Sequence, residues 1–194
     1  MSTFWLYFNL GVTHILDLRG FDHILFIIAL CSLYMLRDWR KVLIMVTAFT
    51  IGHSITLALA TLNVIRVNAA VIEFLIPVTI FITALTNILR QRRVPGPGIL
   101  QINYGFALFF GLIHGLGFSS YLRSLLGQDR TIVPQLLAFN LGLEFGQIVI
   151  VLIFLVISSL TVGIAGVARR DWKLIISSAV AGIALTLIWA ARFW

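Results

Sequence analysis

Short basic clusters divide this chain of 194 residues into long apolar runs, and that alternation settles most of what it can fold into. The clusters are Arg37-Arg40-Lys41, Arg90-Arg92-Arg93 and Arg169-Arg170-Lys173. The runs between them reach the ~20 residues that a helix rising ~1.5 Å per residue needs to cross a ~30 Å hydrocarbon core. With 60% hydrophobic and only 11% charged residues, an ordinary soluble domain is excluded. The expected fold is all-α: a polytopic membrane protein forming a single domain over residues 1–194, in contact with the lipid bilayer.

Six firm transmembrane helices are expected, over roughly 21–36, 41–62, 69–89, 100–118, 133–160 and from 174 to the C-terminus. Residues 4–16 are apolar and aromatic but short, and suit an interfacial helix or a short tilted span, a possible seventh. Asn63 to Asn68 form a turn. The Pro-Gly-Pro-Gly stretch at 95–98 breaks one helix from the next, and a polar connection at 119–132 contains Arg123, Asp129 and Arg130. Trp189, Phe193 and Trp194 suit an interfacial anchor at the end of the last helix.

Orientation follows from the fourteen Lys and Arg residues. One set of alternate loops holds the three clusters above, and the other holds Arg19, Arg66, Arg123, Arg130 and Arg192. The excess places loops 37–41, 90–93 and 169–173 in the cytoplasm. The net charge of +7 is therefore a topology signal, and no nucleic-acid partner is expected. The first basic residue is Arg19, so the charged start of a secretory signal is not expected either. Cys31 stands alone in an apolar run, which removes both a disulfide framework and the soft ligand set that Cu(I) prefers.

Against that background the decapeptide HILDLRGFDH at 14–23 stands out, because it concentrates His14, Asp17, Asp22 and His23 at the mouth of an apolar run. Asp17 and Asp22 have a plain role open to them as helix-start solvation. Neutral imidazole and carboxylate are also the ligands that zinc, nickel and cobalt take. Four further ionisable groups lie inside the runs: His53, Glu73, His114 and Glu144. Under the stated topology all of them fall between the outer surface and the bilayer centre, aimed at one outward-facing cavity. A lone intramembrane histidine can be no more than a helix–helix hydrogen-bond donor. A charged Glu in hydrocarbon costs several kcal/mol, so Glu73 and Glu144 must be neutral, paired or metal-bound.

Asn140, Glu144 and Gln147 stand at i, i+4 and i+7, one polar stripe that should not face lipid. Thr50 and Ser54 flank His53. They are candidates either to orient its ring or simply to bond back to their own helix. Gly111-x-x-x-Gly115 and Gly142-x-x-x-Gly146 signal close helix packing, which would bring the faces bearing His114 and Glu144 together. A faint repeat pairs Phe-Thr-Ile-Gly-His-Ser and Ile-Glu-Phe with Phe-Gly-Leu-Ile-His-Gly and Leu-Glu-Phe.

Five segments together resemble the HupE/UreJ family of bacterial membrane proteins: H-I-L-D-x-x-G-F-D-H-I-L-F, F-T-I-G-H-S-I-T-L, V-I-E-F, G-L-I-H-G-L-G-F and F-N-L-G-L-E-F-G-Q. The resemblance covers roughly residues 11–150. It implies a nickel or cobalt permease of the bacterial inner membrane, with His14, Asp22, His23, His53, Glu73, His114 and Glu144 as metal-handling residues. In the shorter hydrogenase-associated pattern a proline follows the first histidine. Ile15 stands there in this chain, which places it nearer a broader branch of the family.

Two functions follow from this ligand chemistry. The first is transport of nickel or cobalt, before zinc, with the outer residues capturing the ion and Asn140 and Gln147 lining its route. Only Thr83, Asn87 and Asn103 offer polar lining in the cytoplasmic half. The second is an intramembrane zinc hydrolase acting on a lipid amide or ester, with Glu73 or Glu144 as general base. It is the weaker reading, because no H-E-x-x-H signature accompanies the ligands.

Overall fold

The computed structural model describes residues 2–18, 20–90, 97–119, 122, 124 and 132–193. The basic residues at 91–93, Arg19, most of the 119–132 connection with Arg123, Asp129 and Arg130, and the terminal Trp194 lie outside the described residues. Among the described residues seven α-helices follow in order: α1 (Thr3–Leu16), α2 (Asp22–Cys31), α3 (Trp39–Thr61), α4 (Ala69–Leu89), α5 (Pro97–Gly117), α6 (Val133–Gly163) and α7 (Arg169–Ala190), with a 3-10 turn at Leu36–Asp38 before α3. There is no strand among the described residues.

Among the described residues four helices are long and apolar enough to cross a bilayer: α3 taken with its 3-10 turn, α4, α6 and α7. The expectation of six full spans needs correction at the first one. The helix expected over 21–36 stops at Cys31 after 10 residues, ~15 Å and half a bilayer core. Ser32 begins a turn there, its hydroxyl bonding back to the Ala29 carbonyl at 2.9 Å. The N-terminal segment is a helix of 14 residues, ~21 Å long. The chain therefore begins with two part-length helices joined by a break at 17–21. Irregular backbone of this kind is tolerated at membrane depth only where protein covers it.

Two seams of glycine set the packing. A Cβ on Gly52 would strike the Leu108 carbonyl, one on Gly111 the Phe49 carbonyl, and one on Gly115 the His53 carbonyl. Residues 49–56 thus run beside 108–115 in the same direction, with α3 and α5 at backbone contact. Gly11, Gly142 and Gly146 do the same between α1 and α6, against Phe139, Phe8 and Ile15. The two Gly-x-x-x-Gly motifs therefore do not join α5 to α6, as the sequence suggested. Each packs on a different partner, because the neighbour of a small-residue face is chosen by the whole bundle.

One end of the bundle gathers the basic residues. Leu36 N–H donates to Ser159 Oγ at 3.2 Å and Trp172 Nε1–H to Ser158 Oγ at 3.0 Å, while Lys173 Nζ donates to the Arg90 carbonyl. This basic end carries Arg37, Arg40, Lys41, Arg90, Arg169, Arg170 and Lys173. The opposite end brings Gly20, Glu73, Leu187 and Ala190 around one cleft.

Candidate metal centre

His14 lies in the last turn of α1 and His23 in the first turn of α2, so the break between these helices delivers two imidazoles to one point, 4.8 Å between ring centres. His53 and His114 come from α3 and α5, which are in backbone contact where Gly115 meets the His53 carbonyl. Ring centres stand 6.4 Å apart for His14–His53, 6.2 Å for His23–His53 and 5.2 Å for His23–His114. One nitrogen from each of His14, His23 and His53 lies within 4.8 Å of the other two. A tetrahedral site with ~2.0–2.1 Å bonds has its nitrogens about 3.4 Å apart, so small side-chain rotations bridge the difference.

Hydrogen bonds fix which nitrogen faces the cluster. His23 Nδ1 is 3.0 Å from Asp22 Oδ1, which also accepts the His23 backbone N–H at 2.9 Å. His114 Nδ1 is 2.9 Å from the Phe110 carbonyl. Both partners are acceptors, so a neutral ring carries its proton on Nδ1 and keeps a lone pair on Nε2. The Nε2 atoms of His14, His23, His53 and His114, together with Nδ1 of His53, are buried with no hydrogen-bond partner. An unpaired buried polar group costs about 1–3 kcal/mol, and four histidines sharing that condition at one point is not economical core packing. Binding an electron-pair acceptor removes it.

Charge supports the same chemistry. The last turn of α1 presents the negative end of its dipole at His14, which favours a cation. The first turn of α2 presents the positive end, and Asp22 offsets it there. Asp17, Asp22 and Glu73 line a cleft of about 260 Å³ that reaches His14, His23 and His114. A second cleft of about 360 Å³ shares Asp22 and Glu73 and opens between α4 and the end of α7. Pro77 lies inside α4 and has no N–H for the Glu73 carbonyl, leaving that oxygen free of the helix ladder beside the cleft.

Glu144 sits elsewhere. It does not line the cleft at the histidines, and its Oε1 accepts from Thr47 Oγ1 at 2.8 Å. Gln147 Oε1 accepts from Thr50 Oγ1 at 2.8 Å. Glu144 and Gln147 of the polar stripe thus face α3 rather than lipid. Thr50 also bonds the Val46 carbonyl at 3.2 Å and Ser54 the Thr50 carbonyl at 2.7 Å, so both hydroxyls bond back to their helix and neither orients His53. The repeat extends to His53 and His114, both of which lie beside His23, but not to the two glutamates.

Aromatic rings the sequence reading passed over enclose the cluster. Phe118 lies 3.9 Å from the His14 ring and stacks on Phe139 at 5.1 Å, while Phe26 and Phe49 each lie 5.2 Å from His114. A signal was present: Phe49 precedes His53 by four residues, and Phe110 and Phe118 flank His114 at the same interval, which puts them on the histidine faces.

A family model described as HupE / UreJ protein matches residues 1–192 of the chain. No curated protein and no solved structure matches it.

Proposed function

Because the chain belongs to the HupE/UreJ family of membrane proteins, we propose that it carries a divalent first-row metal, nickel or cobalt, across the membrane through the four-histidine cluster. The observation that carries this reading is the grouping of His14, His23 and His53 within 4.8 Å, with His114 beside His23 and the Nε2 of each ring buried without a partner, next to an acidic cleft. His14, His23, His53 and His114 are the ligands. Asp22 orients His23 in the manner of carboxylate–histidine–metal triads. Asp17 and Glu73 draw the hydrated cation into the cleft and take up its charge while water is shed. Imidazole nitrogen suits nickel, cobalt and zinc, and no thiolate or thioether competes to favour Cu(I). The basic end faces the cytoplasm of the bacterial inner membrane, and the cleft opens on the other side.

Uptake of nickel and cobalt into proteoliposomes tests this. Saturable accumulation that is lost in His53→Ala and His114→Ala is expected. Tight metal binding with no flux in the parent protein would overturn the transport reading.

A further inference from the structure

Resting on that reading, we propose that the inner half of the metal route is a small, mainly apolar chamber with a polar edge between α2, α3, α4 and α5, separated from the histidines by Phe26, Phe49 and Phe110. The chamber holds about 30 Å³ and is walled mostly by apolar side chains, Phe110 among them, with polar groups from Thr83, Asn87, Arg90 and Asn103 at its edge. Three of these four are the polar residues whose separation along the sequence made the inner half look closed. Between the chamber and the cluster lie the three rings, 0%, 2% and 4% exposed. Their centres stand 5.0 Å apart for Phe26–Phe49 and 5.6 Å for Phe26–Phe110. Phe110 belongs to both compartments: its carbonyl holds His114 Nδ1 and its ring forms the chamber wall.

The chemistry of the two compartments differs in a way that suits release. The cluster offers imidazole nitrogen and nearby carboxylates. The chamber offers amide and hydroxyl groups and the Arg90 guanidinium, with no carboxylate or imidazole. A divalent ion entering it finds weak oxygen ligands and a like charge at the exit, so it is not retained. The volume holds about two water molecules by the usual one-probe measure, too few for a hydrated ion. An apolar constriction of three rings is likewise a dewetted barrier. The arrangement is therefore the cleft-open, chamber-closed state of a gated path.

The element that opens it is α2. This helix carries Phe26 and is only 10 residues long. Its C-terminal turn is fastened by polar bonds: Asn87 Nδ2 to the Ala29 carbonyl at 2.7 Å and to Ser32 Oγ at 3.1 Å, Ser32 Oγ to Ser177 Oγ at 3.3 Å, and Asn103 Nδ2 to Tyr34 Oη at 3.0 Å. Arg90 Nη2 bonds Asn103 Oδ1 at 3.3 Å. The chamber's polar residues are thus also the latch. Displacing α2 withdraws Phe26 and frees Asn87 and Asn103 in one motion.

The test uses the full chain in proteoliposomes. Thr83→Cys is made in a Cys31→Ala background and exposed from the basic end to a membrane-impermeant trimethylammonium methanethiosulfonate. Modification should change at least threefold in rate when nickel is added, and the labelled protein should lose uptake while still binding nickel at the histidines. Phe26→Ala should raise downhill nickel flux severalfold, and Phe26→Leu, which keeps most of the core volume, should do so to a smaller extent. If nickel binds but labelling of Thr83→Cys neither responds to it nor blocks uptake, the chamber is not on the path and the inference falls while the permease reading stands. If the parent protein binds no nickel, both fall.

Discussion

Removing the Asp22 carboxylate is the sharpest probe of the metal centre. Its Oδ1 lies 3.0 Å from His23 Nδ1 and 2.9 Å from the His23 backbone N–H, so it fixes the ring's rotation and its tautomer together. In Asp22→Ala the imidazole can carry its proton on either nitrogen and can turn, and the carboxylate no longer strengthens Nε2 as a donor. Loss of such a partner usually lowers metal affinity 10–100-fold, or about 1.4–2.7 kcal/mol. Asp22→Asn keeps an oxygen for Nδ1–H but loses the charge, so its loss should fall near the lower bound. A helix-start acid is also worth roughly 0.3–1 kcal/mol to α2 itself, and a thermal unfolding midpoint recorded without metal separates that contribution. The assay is calorimetric titration of nickel into nanodisc-embedded protein. Affinities within twofold of the parent for both variants would refute the orienting role. A loss beyond about a thousandfold would instead make Asp22 a ligand in its own right.

Other outcomes follow from the same geometry. Gly52→Ala drives a Cβ into the Leu108 carbonyl and should lower stability by about 1–3 kcal/mol, whereas Gly105→Ala, with nothing within 4 Å, should be neutral or slightly stabilising; unfolding midpoints of the two variants decide. Glu144→Gln should leave nickel affinity within twofold, since that carboxylate bonds Thr47 and not the cluster, while Glu73→Gln should slow metal capture; stopped-flow binding with a fluorescent nickel indicator reads both.

The comparison between what the residues foretold and what the fold arranged is uneven. Helices over 39–61 and 69–89 stand where the apolar runs predicted, because length and hydropathy in a bilayer leave one solution for such runs. The geometry brings His14, His23 and His53 within 4.8 Å of one another, with the His114 ring 5.2 Å from that of His23. Depth along a helix is counted from sequence at ~1.5 Å per residue, and the positive-inside rule supplies the direction. The failures lie where rotation or partnership had to be known. Glu144 has a depth that suits the cluster, yet it faces Thr47. Of the two roles open to Ser54 and Thr50, the structure takes the bond back to their own helix, and Thr50 bonds Gln147 as well.

By itself, then, the sequence determined a helical membrane bundle and the spacing of its apolar runs and basic clusters. Only the tertiary structure decided that α2 stops after ten residues, that the Gly-x-x-x-Gly faces pack on α3 and α1, and that Thr83, Asn87 and Asn103 enclose a common chamber. The reason is physical. Burial in lipid is a property of each segment's own composition, whereas the azimuth of a helix and the choice of its neighbour are set by contacts among residues that lie far apart along the chain.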